Sequence, residues 1–414
     1  MRQTDAIVIG AGQAGLAMSR CLGDLGIAHT VLDRGRVAER WRSERWDSLR
    51  LLTPNWMSRL PGWSYRGSDP DGYMAAAEVL GYLDGYARAS AAPVLEGADV
   101  RSVRRVPFGY RVETSGRGAW EARVVVVATG HCDVPLVPTV ARQLPASVRQ
   151  ITPSEYRNPD SVPKGGVLVV GASATGVQLA EELQRAGRPV TLAVGRHTRL
   201  PRMYRGQDVM WWMDRIGVLG EAAEGVRNLR RARAQPSLQL VGHPDRRTID
   251  LGALHGIGVR VVGRVAGVEG AAVHLRDDLP ETMAAAQGTL ERLLARIDLM
   301  ADAGGAPSEP WPAPFAGFPP APATLDLRAE GIRTVLWATG FRRDYAWLHV
   351  PAVLDPEGEL IHCGGVTSSP GLYALGLRFM RRRNSTFLDG VGADAADIAA
   401  DVLCHLDAPG RLAA

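Results

Sequence analysis

Two glycine turns in this sequence have the form that cradles phosphate, and the side chains downstream of each differ in charge. The first is Gly10-Ala11-Gly12-Gln13-Ala14-Gly15, reached from the apolar run Ala6 to Ile9. At this spacing Gly10 makes the tight turn, Gly12 lets a pyrophosphate approach the backbone, and Gly15 lets the following helix pack on the strand. The helix N-terminus at Gln13 and Ala14 then faces the anion. The next apolar run, Thr30 to Leu32, ends at Asp33, 18 positions past Gly15, where an acid can hold a ribose hydroxyl pair with Arg34 beside it. The second turn, Gly171-Ala172-Ser173-Ala174-Thr175-Gly176, follows Val167 to Val170 and carries Ser173 in place of the middle glycine. After the strand expected at Val190 to Val194, the place of the acid is taken by Gly195-Arg196-His197-Thr198-Arg199. Guanidinium groups chelate a 2'-phosphate that a carboxylate would repel. The pair therefore reads as FAD at the first turn and NADPH at the second, with electrons passing between two bound cofactors.

The elements that must position these groups follow from periodicity. Apolar residues at 14, 17, 18, 21, 22 and 25 predict a helix after the first turn, and Val177, Ala180 and Leu183 continue one after the second. Val125 to His131 and Val335 to Phe341 share an apolar strand ending in Ala-Thr-Gly, which places Thr129 and Gly130 close to a cofactor or at a crossing between domains. The expected fold is α/β with two Rossmann-like dinucleotide-binding domains, the NADPH domain inserted into a discontinuous FAD domain. Its boundaries are 1–150 for the first FAD part, 151–330 for the NADPH domain and 331–414 for the C-terminal FAD part. Near the end, Phe387-Leu388-Asp389-Gly390-Val391-Gly392 opens a helix whose N–H groups could face the electron-rich edge of a flavin. Arg381 to Arg383 just before it either bind an acidic substrate or lie solvated. A helix is predicted over 279–303, followed by the Pro/Gly-rich run 304–322, whose Trp311, Phe315 and Phe318 suggest a loop packed against something, with the substrate mouth the expected place.

Composition narrows the function classes. The chain has 414 residues, 46% hydrophobic and 22% charged, enough for more than one core and unlike a disordered protein. Its 48 basic residues face 44 acidic ones, and a surplus of four spread over this surface does not indicate nucleic-acid binding. All the basic residues but Lys164 are arginines, which reads as coding bias. Cys21, Cys132, Cys363 and Cys404 include no CxxC pair and no metal spacing, so a paired redox dithiol and a metal site are not expected. The histidines, His131, His197, His243, His255 and His362 among them, form no sequence-local acid-base set. No apolar stretch is long enough to span a bilayer, and a core strand beginning by Asp5 leaves no room for a signal peptide, so the expected location is the cytoplasm.

On these residues the chain resembles the flavin-dependent monooxygenases, a group that includes flavin-containing monooxygenases, plant indole-pyruvate monooxygenases and, more distantly, Baeyer-Villiger enzymes. The likeness lies in the paired glycine turns, the segment Trp41 to Pro61, both Ala-Thr-Gly strands, and Gly371 to Gly376 with Phe387 to Gly392. Gly195 to Gly206 with Trp211-Trp212 is similar to a bacterial branch of flavoproteins. The resemblance implies an NADPH-dependent FAD monooxygenase that inserts one atom of O2 into a small organic substrate through a C4a-hydroperoxyflavin, with N- or S-oxygenation favoured over Baeyer-Villiger or 2-oxo-acid oxygenation. It implies Asn55 as a catalytic amide, although an Asn after Pro54 is also an ordinary turn residue. It further implies that Trp41, Arg45, Trp46 and Arg50 pack beside the flavin or its pyrophosphate. One motif departs: the family's linker FxGxxxHxxx(Y/W) aligns with Ala146 to Tyr156, where Tyr156 matches but the Phe, Gly and His places hold Ala146, Val148 and Thr152. That departure keeps a second reading, an NADPH oxidase or flavin reductase, in play. A third is a non-enzymatic sensor of the nucleotide ratio. The expected partners are the substrate and O2, with no nucleic acid and no membrane; a homodimer is left open.

Overall fold

Parallel strands covered on both faces require apolar, β-branched residues at every position, not at alternate ones. The valine-rich runs of this chain meet that requirement: Val124 to Val127 and Val167 to Val170 are buried throughout. The computed structural model describes residues 2–408. In chain order, the first unit contains β1 (Arg2–Ile9), α1 (Gln13–Asp24), β2 (His29–Leu32), α2 (Ala76–Ala89), β3 (Val94–Leu95), β4 (Asp99–Val106), β5 (Gly109–Ser115) and β6 (Gly118–Val127). A second unit follows with β7 (Arg149–Ile151), β8 (Gly166–Val170), α3 (Ala174–Arg185), β9 (Val190–Ala193), α4 (Leu251–Gly256), β10 (Arg260–Val262), α5 (Leu279–Ala303) and β11 (Ile332–Trp337). The chain then returns to the first unit with β12 (Leu348–His349), β13 (Leu372–Ala374) and α6 (Leu388–Asp407).

The first sheet runs β12-β4-β5-β6-β1-β2-β3, and β13 joins it by pairing Leu372 with Val125 and Ala374 with Val127. Its centre is parallel, with Ala6 opposite both Val124 and His29. The second sheet is wholly parallel in the order β7-β11-β8-β9-β10. Because β7 and β11 both belong to it, the second unit takes in Arg149 and extends through Trp337. The divisions expected at 150/151 and 330/331 therefore shift outward. The reason is visible in β11, where Val335, Leu336 and Trp337 are buried and fill an inner place between β7 and β8.

The chain passes between units twice, and the two crossings lie side by side. Val134–Pro135 pairs antiparallel with Phe341–Arg342, and the Leu136 N–H donates to the Gly340 carbonyl at 2.9 Å. The predicted helix at 279–303 forms as α5. The Pro/Gly-rich run after it does pack, but against the second unit. Arg199 donates to the Ala313 carbonyl at 3.0 Å, and Phe315 stacks on Phe318 at 4.4 Å with the His255 ring edge-on to both. Among the described residues no helix is long and apolar enough to cross a membrane.

Candidate functional site

Both glycine turns sit where the strand-turn-helix pattern places them, at the C-terminal ends of β1 and β8. Gly10 has φ +111°, and a Cβ there would lie 2.6 Å from the Ala128 carbonyl oxygen; Gly171 has φ +108° and the matching distance to the Ala338 oxygen is 2.4 Å. A Cβ on Gly15 would come within 1.7 Å of the Gly10 oxygen, and one on Gly176 within 1.8 Å of the Gly171 oxygen. Only glycine fits at these four positions. The Ala-Thr-Gly strands thus have a shared role, each pressing its alanine carbonyl against the first glycine of its own unit.

The first crevice is a cavity of about 700 Å³ lined by Gly10, Gly12, Gln13 and Ala14 from the turn, Asp33 and Arg34 from the end of β2, and Trp41, Thr129 and Gly130. A Cβ on Gly12 would meet nothing within 4 Å, so the backbone there is bare toward the cavity. Asp33 accepts from the Ala11 N–H at 2.6 Å and from the Gly35 N–H at 2.8 Å. Burial raises its pKa, while those two bonds and Arg34 and Arg40 oppose the rise. Trp41 lies under the Arg45 guanidinium, 5.2 Å from ring centroid to Cζ. His131 and Cys132 continue the wall beyond Gly130. Burial, together with the cations of Arg378, Arg343, Arg45 and Arg40, depresses the His131 pKa to about 3, so the imidazole is neutral at physiological pH. Burial likewise raises the Cys132 thiol.

Two wall residues lie far from the glycine turn and were not among the expected cofactor contacts. Gly376 (φ +77°) approaches so closely that a Cβ would lie 2.7 Å from the Ala14 Cβ, and Thr386 accepts from the Gln13 amide at 2.7 Å through its carbonyl. Both come from the C-terminal return of the chain, more than 360 positions from the turn they complete.

Beyond the second turn, at the ends of β9 and β10, lies a cavity of about 830 Å³ roofed by residues 314–323; His197, Arg199 and Gln239 line it, whereas Gly171, Ser173, Thr175, Gly176 and Arg196 do not. Ser173 stands at the N-cap of α3 with no side-chain cap bond, and Thr175 is half-buried in the first turn of that helix. Gln239, fully buried, donates through Nε2 to the Ala172 carbonyl at 2.7 Å. Its Oε1 has no partner among the described residues, which leaves a desolvated acceptor in the cavity wall beside the turn. A buried acceptor without a donor is costly. A nucleotide hydroxyl or N–H would satisfy it.

The arginines of the second turn part company. Arg196 is exposed and forms no ion pair among the described residues. Arg199 is committed to the protein: it donates to Asp250 at 2.8 Å and Gln287 at 2.7 Å besides Ala313. The Arg199 guanidinium is thus occupied within the protein, while that of Arg196 is exposed. His197 is buried against the Gly195 carbonyl at 3.1 Å, and burial lowers its pKa.

Several expected site residues have structural employment instead. The Asn55 amide donates to the Asp69 carbonyl at 2.9 Å and accepts from the Met74 N–H at 2.7 Å, pinning a loop and lining neither crevice. Arg50 donates to the Tyr73 carbonyl at 2.8 Å. Trp46 belongs to the core of the second unit. Asp389 pairs with Arg59; a Cβ on Gly390 would lie 2.1 Å from the Asn384 oxygen, and one on Gly392 3.0 Å from Pro61. These glycines admit neighbouring chain, and the edge of the first cavity is reached at Thr386, just before α6. Arg381, Arg382 and Arg383 are half-buried and paired with Asp401, Asp394 and Glu221.

Comparison with known proteins agrees with this geometry. The sequence pattern described as pyridine nucleotide-disulphide oxidoreductase matches residues 7–211. An "uncharacterized oxidoreductase CzcO-like" of Geobacillus kaustophilus is 32% identical, over 97% of this chain and 99% of that one. The indole-3-pyruvate monooxygenase YUCCA1 of Oryza sativa is 26% identical, over 97% of this chain and 91% of its own. Among solved structures, a flavin-containing monooxygenase from Stenotrophomonas maltophilia is similar in fold at 20% identity and TM-score 0.68, covering 98% of this chain and 100% of that one.

Proposed function

This chain belongs to the CzcO-like oxidoreductases and is a flavin-dependent oxidoreductase; on that premise we propose that it is an NADPH-dependent FAD monooxygenase acting on a small organic substrate, with N- or S-oxygenation favoured. The observation that carries the reading is the duplicated glycine geometry, with an acid after the first turn and an unpaired arginine after the second. The bound cofactors would supply the redox chemistry: NADPH, a proton, O2 and substrate become NADP+, water and the oxygenated product, with two electrons leaving the nicotinamide as hydride.

The residues of this chain bind, orient and shield. Gly10, Gly12 and the N-terminus of α1 suit the FAD pyrophosphate, and Asp33 suits its adenosine ribose. Trp41, Arg45, Thr129 and Gly130 flank the remainder of that cavity. Gly171, Ser173 and Gly176 suit the NADPH pyrophosphate, Gln239 a ribose hydroxyl, and Arg196 the 2'-phosphate. His131, half-buried and neutral, adds no charge of its own beside Arg40 and Arg45 in that wall. The names of the rice and Stenotrophomonas proteins support oxygenation as the outcome, and the reading needs no nucleic acid or membrane partner.

A second reading, an NADPH oxidase or flavin reductase, draws on Thr152, which stands where related linkers carry a histidine. Its hydroxyl is taken up by Glu155 at 2.7 Å. The test is a turnover balance for the flavin-loaded enzyme with NADPH, O2 and a panel of amines and thioethers. Oxygenated product matching NADPH consumed is expected. Hydrogen peroxide matching NADPH consumed, whatever is added, would establish the second reading in its place.

A further inference from the structure

Arg202 is fully buried yet lies outside both crevices. It follows β9 in the second unit, and its guanidinium reaches across to the first: Nη1 donates to the Leu52 carbonyl at 2.7 Å, and Cζ sits 4.6 Å from the centre of the Tyr73 ring. Nε donates to Asp208 Oδ2 at 2.8 Å. Tyr73 closes the circuit by donating its hydroxyl to the same Asp208 oxygen at 2.7 Å. Asp208 in turn caps the helix Val209–Arg215 through the Met210 N–H at 2.8 Å. Each charged or polar head in the group thus has its partners, as burial demands.

The surroundings leave no slack. A Cβ on Gly242 of the second unit would lie 1.9 Å from the Leu51 carbonyl oxygen. Nearby, Ser48 donates to Glu182 at 2.6 Å and the Asp47 N–H to the Arg157 carbonyl at 2.8 Å. Elsewhere, Arg383 N–H donates to the Glu221 carbonyl at 3.1 Å and Ala223 N–H to the Arg381 carbonyl at 2.8 Å, forming a further bridge between units. A planar, rigid fork holding one carbonyl, one carboxylate and one aromatic face fixes orientation as well as distance.

We propose that Arg202, with Asp208 and Tyr73, is a positioning node that holds the second unit on the first in the one orientation that brings the two cofactors together, so that turnover proceeds without rotation between units. The proposal rests on the functional reading above for its hydride donor and acceptor. Small misplacement of reacting groups is expensive in rate, so the node acts on the speed of flavin reduction and not on nucleotide affinity.

Two variants and one cross-link test it. Anaerobic mixing of flavin-loaded enzyme with NADPH yields a limiting rate of flavin reduction and, from its concentration dependence, a Kd. Arg202→Lys keeps the charge and loses the fork; a limiting rate at least about tenfold lower is expected, with Kd within about twofold and flavin content unchanged. Tyr73→Phe keeps the ring and loses one hydroxyl, for an expected fall of about threefold. Unchanged limiting rates in both, or a fall that tracks Kd or flavin content, would overturn the node. Independently of folding in those variants, Ser48→Cys with Glu182→Cys, made with Cys363→Ser and Cys404→Ser, can be joined by a short bis-maleimide. Efficient joining in the resting protein, and reduction by NADPH as fast as in the singly labelled controls, are expected. Failure to join, or loss of reduction on joining, overturns the fixed arrangement. If unlabelled wild-type enzyme is not reduced by NADPH, the functional reading fails, while the joining efficiency still decides whether the units are fixed.

Discussion

The two nucleotide crevices share a backbone and differ in what surrounds it. In both, an alanine carbonyl from an Ala-Thr-Gly strand presses on the first glycine of the turn, and the third glycine presses on the first. The first crevice is then finished by a distant part of the chain, Gly376 and Thr386, and polarised by a half-buried acid, Asp33. Beside the second lie Gln239 and a proline-rich roof from within the inserted unit, and an exposed arginine, Arg196, follows its next strand. Steric demands at the turn are thus common to both sites, and ligand choice is delegated to residues outside it.

The sharpest way to break this comparison is to fill the third glycine of each turn. Gly15→Ala and Gly176→Ala introduce equivalent collisions, each an overpacking cost of about 1–3 kcal/mol. The first is expected to give colourless protein. The second is expected to give yellow protein that NADPH no longer bleaches. Flavin-to-protein absorbance and an anaerobic NADPH titration read both, and the opposite pattern would exchange the assignments. Next in size, Arg196→Ala should raise the KM for NADPH by about 10- to 100-fold through loss of a charge-assisted contact of about 1.5–3 kcal/mol, leaving the KM for NADH unchanged. Arg199→Ala should leave that preference intact and lower the thermal midpoint by about 2–4 °C. Equal effects on the two nucleotides in Arg196→Ala would remove the 2'-phosphate from the account.

Gln239→Leu should raise the KM for NADPH and NADH alike, by about fivefold for one hydrogen bond. A change confined to one nucleotide would mean that the amide senses the 2' position. The smallest effect is on acid stability. His131 and His362 are held at pKa values of about 3 and about 4 by burial and nearby arginines, below the ordinary 6.5. Groups depressed in this way contribute stability that is present above pH 6.5 and lost as the pH falls toward those folded values. Denaturant midpoints measured between pH 7 and pH 4 should fall, and His131→Asn with His362→Asn should flatten the slope.

Much of the fold was legible because parallel-strand burial and turn sterics are local demands. Valine runs, the glycine spacing and the acid at 33 can each be read within a few residues, although the groups that press on them, such as Ala128 and Ala338, come from distant strands. The contacts that several expected site residues make within the protein were not legible for a shared reason, since their partners come from elsewhere in the chain. Asn55 needs Asp69 and Met74 to show that its amide is spent; Arg199 needs Asp250, Gln287 and Ala313. Gly390 and Gly392 occupy a helix start that would suit a ligand or a close neighbour equally, and only the fold brings Asn384 and Pro61 against them. Arg202 carried no signal of its own, because a buried arginine is indistinguishable in sequence from the many exposed ones. The domain boundaries moved for a related reason: β11 reads as a strand wherever it is placed, and only its pairing with β7 and β8 assigns it.

The pairing of β13 with β6 spans nearly 250 residues, and α6 at the end of the chain packs on α1 at its beginning. During synthesis the N-terminal half of the flavin crevice is made first but cannot be closed, because its last wall is still untranslated while the inserted unit emerges and folds. Contacts this far apart form late and slowly. The crevice at the first glycine turn is therefore expected to be completed after the one in the inserted unit.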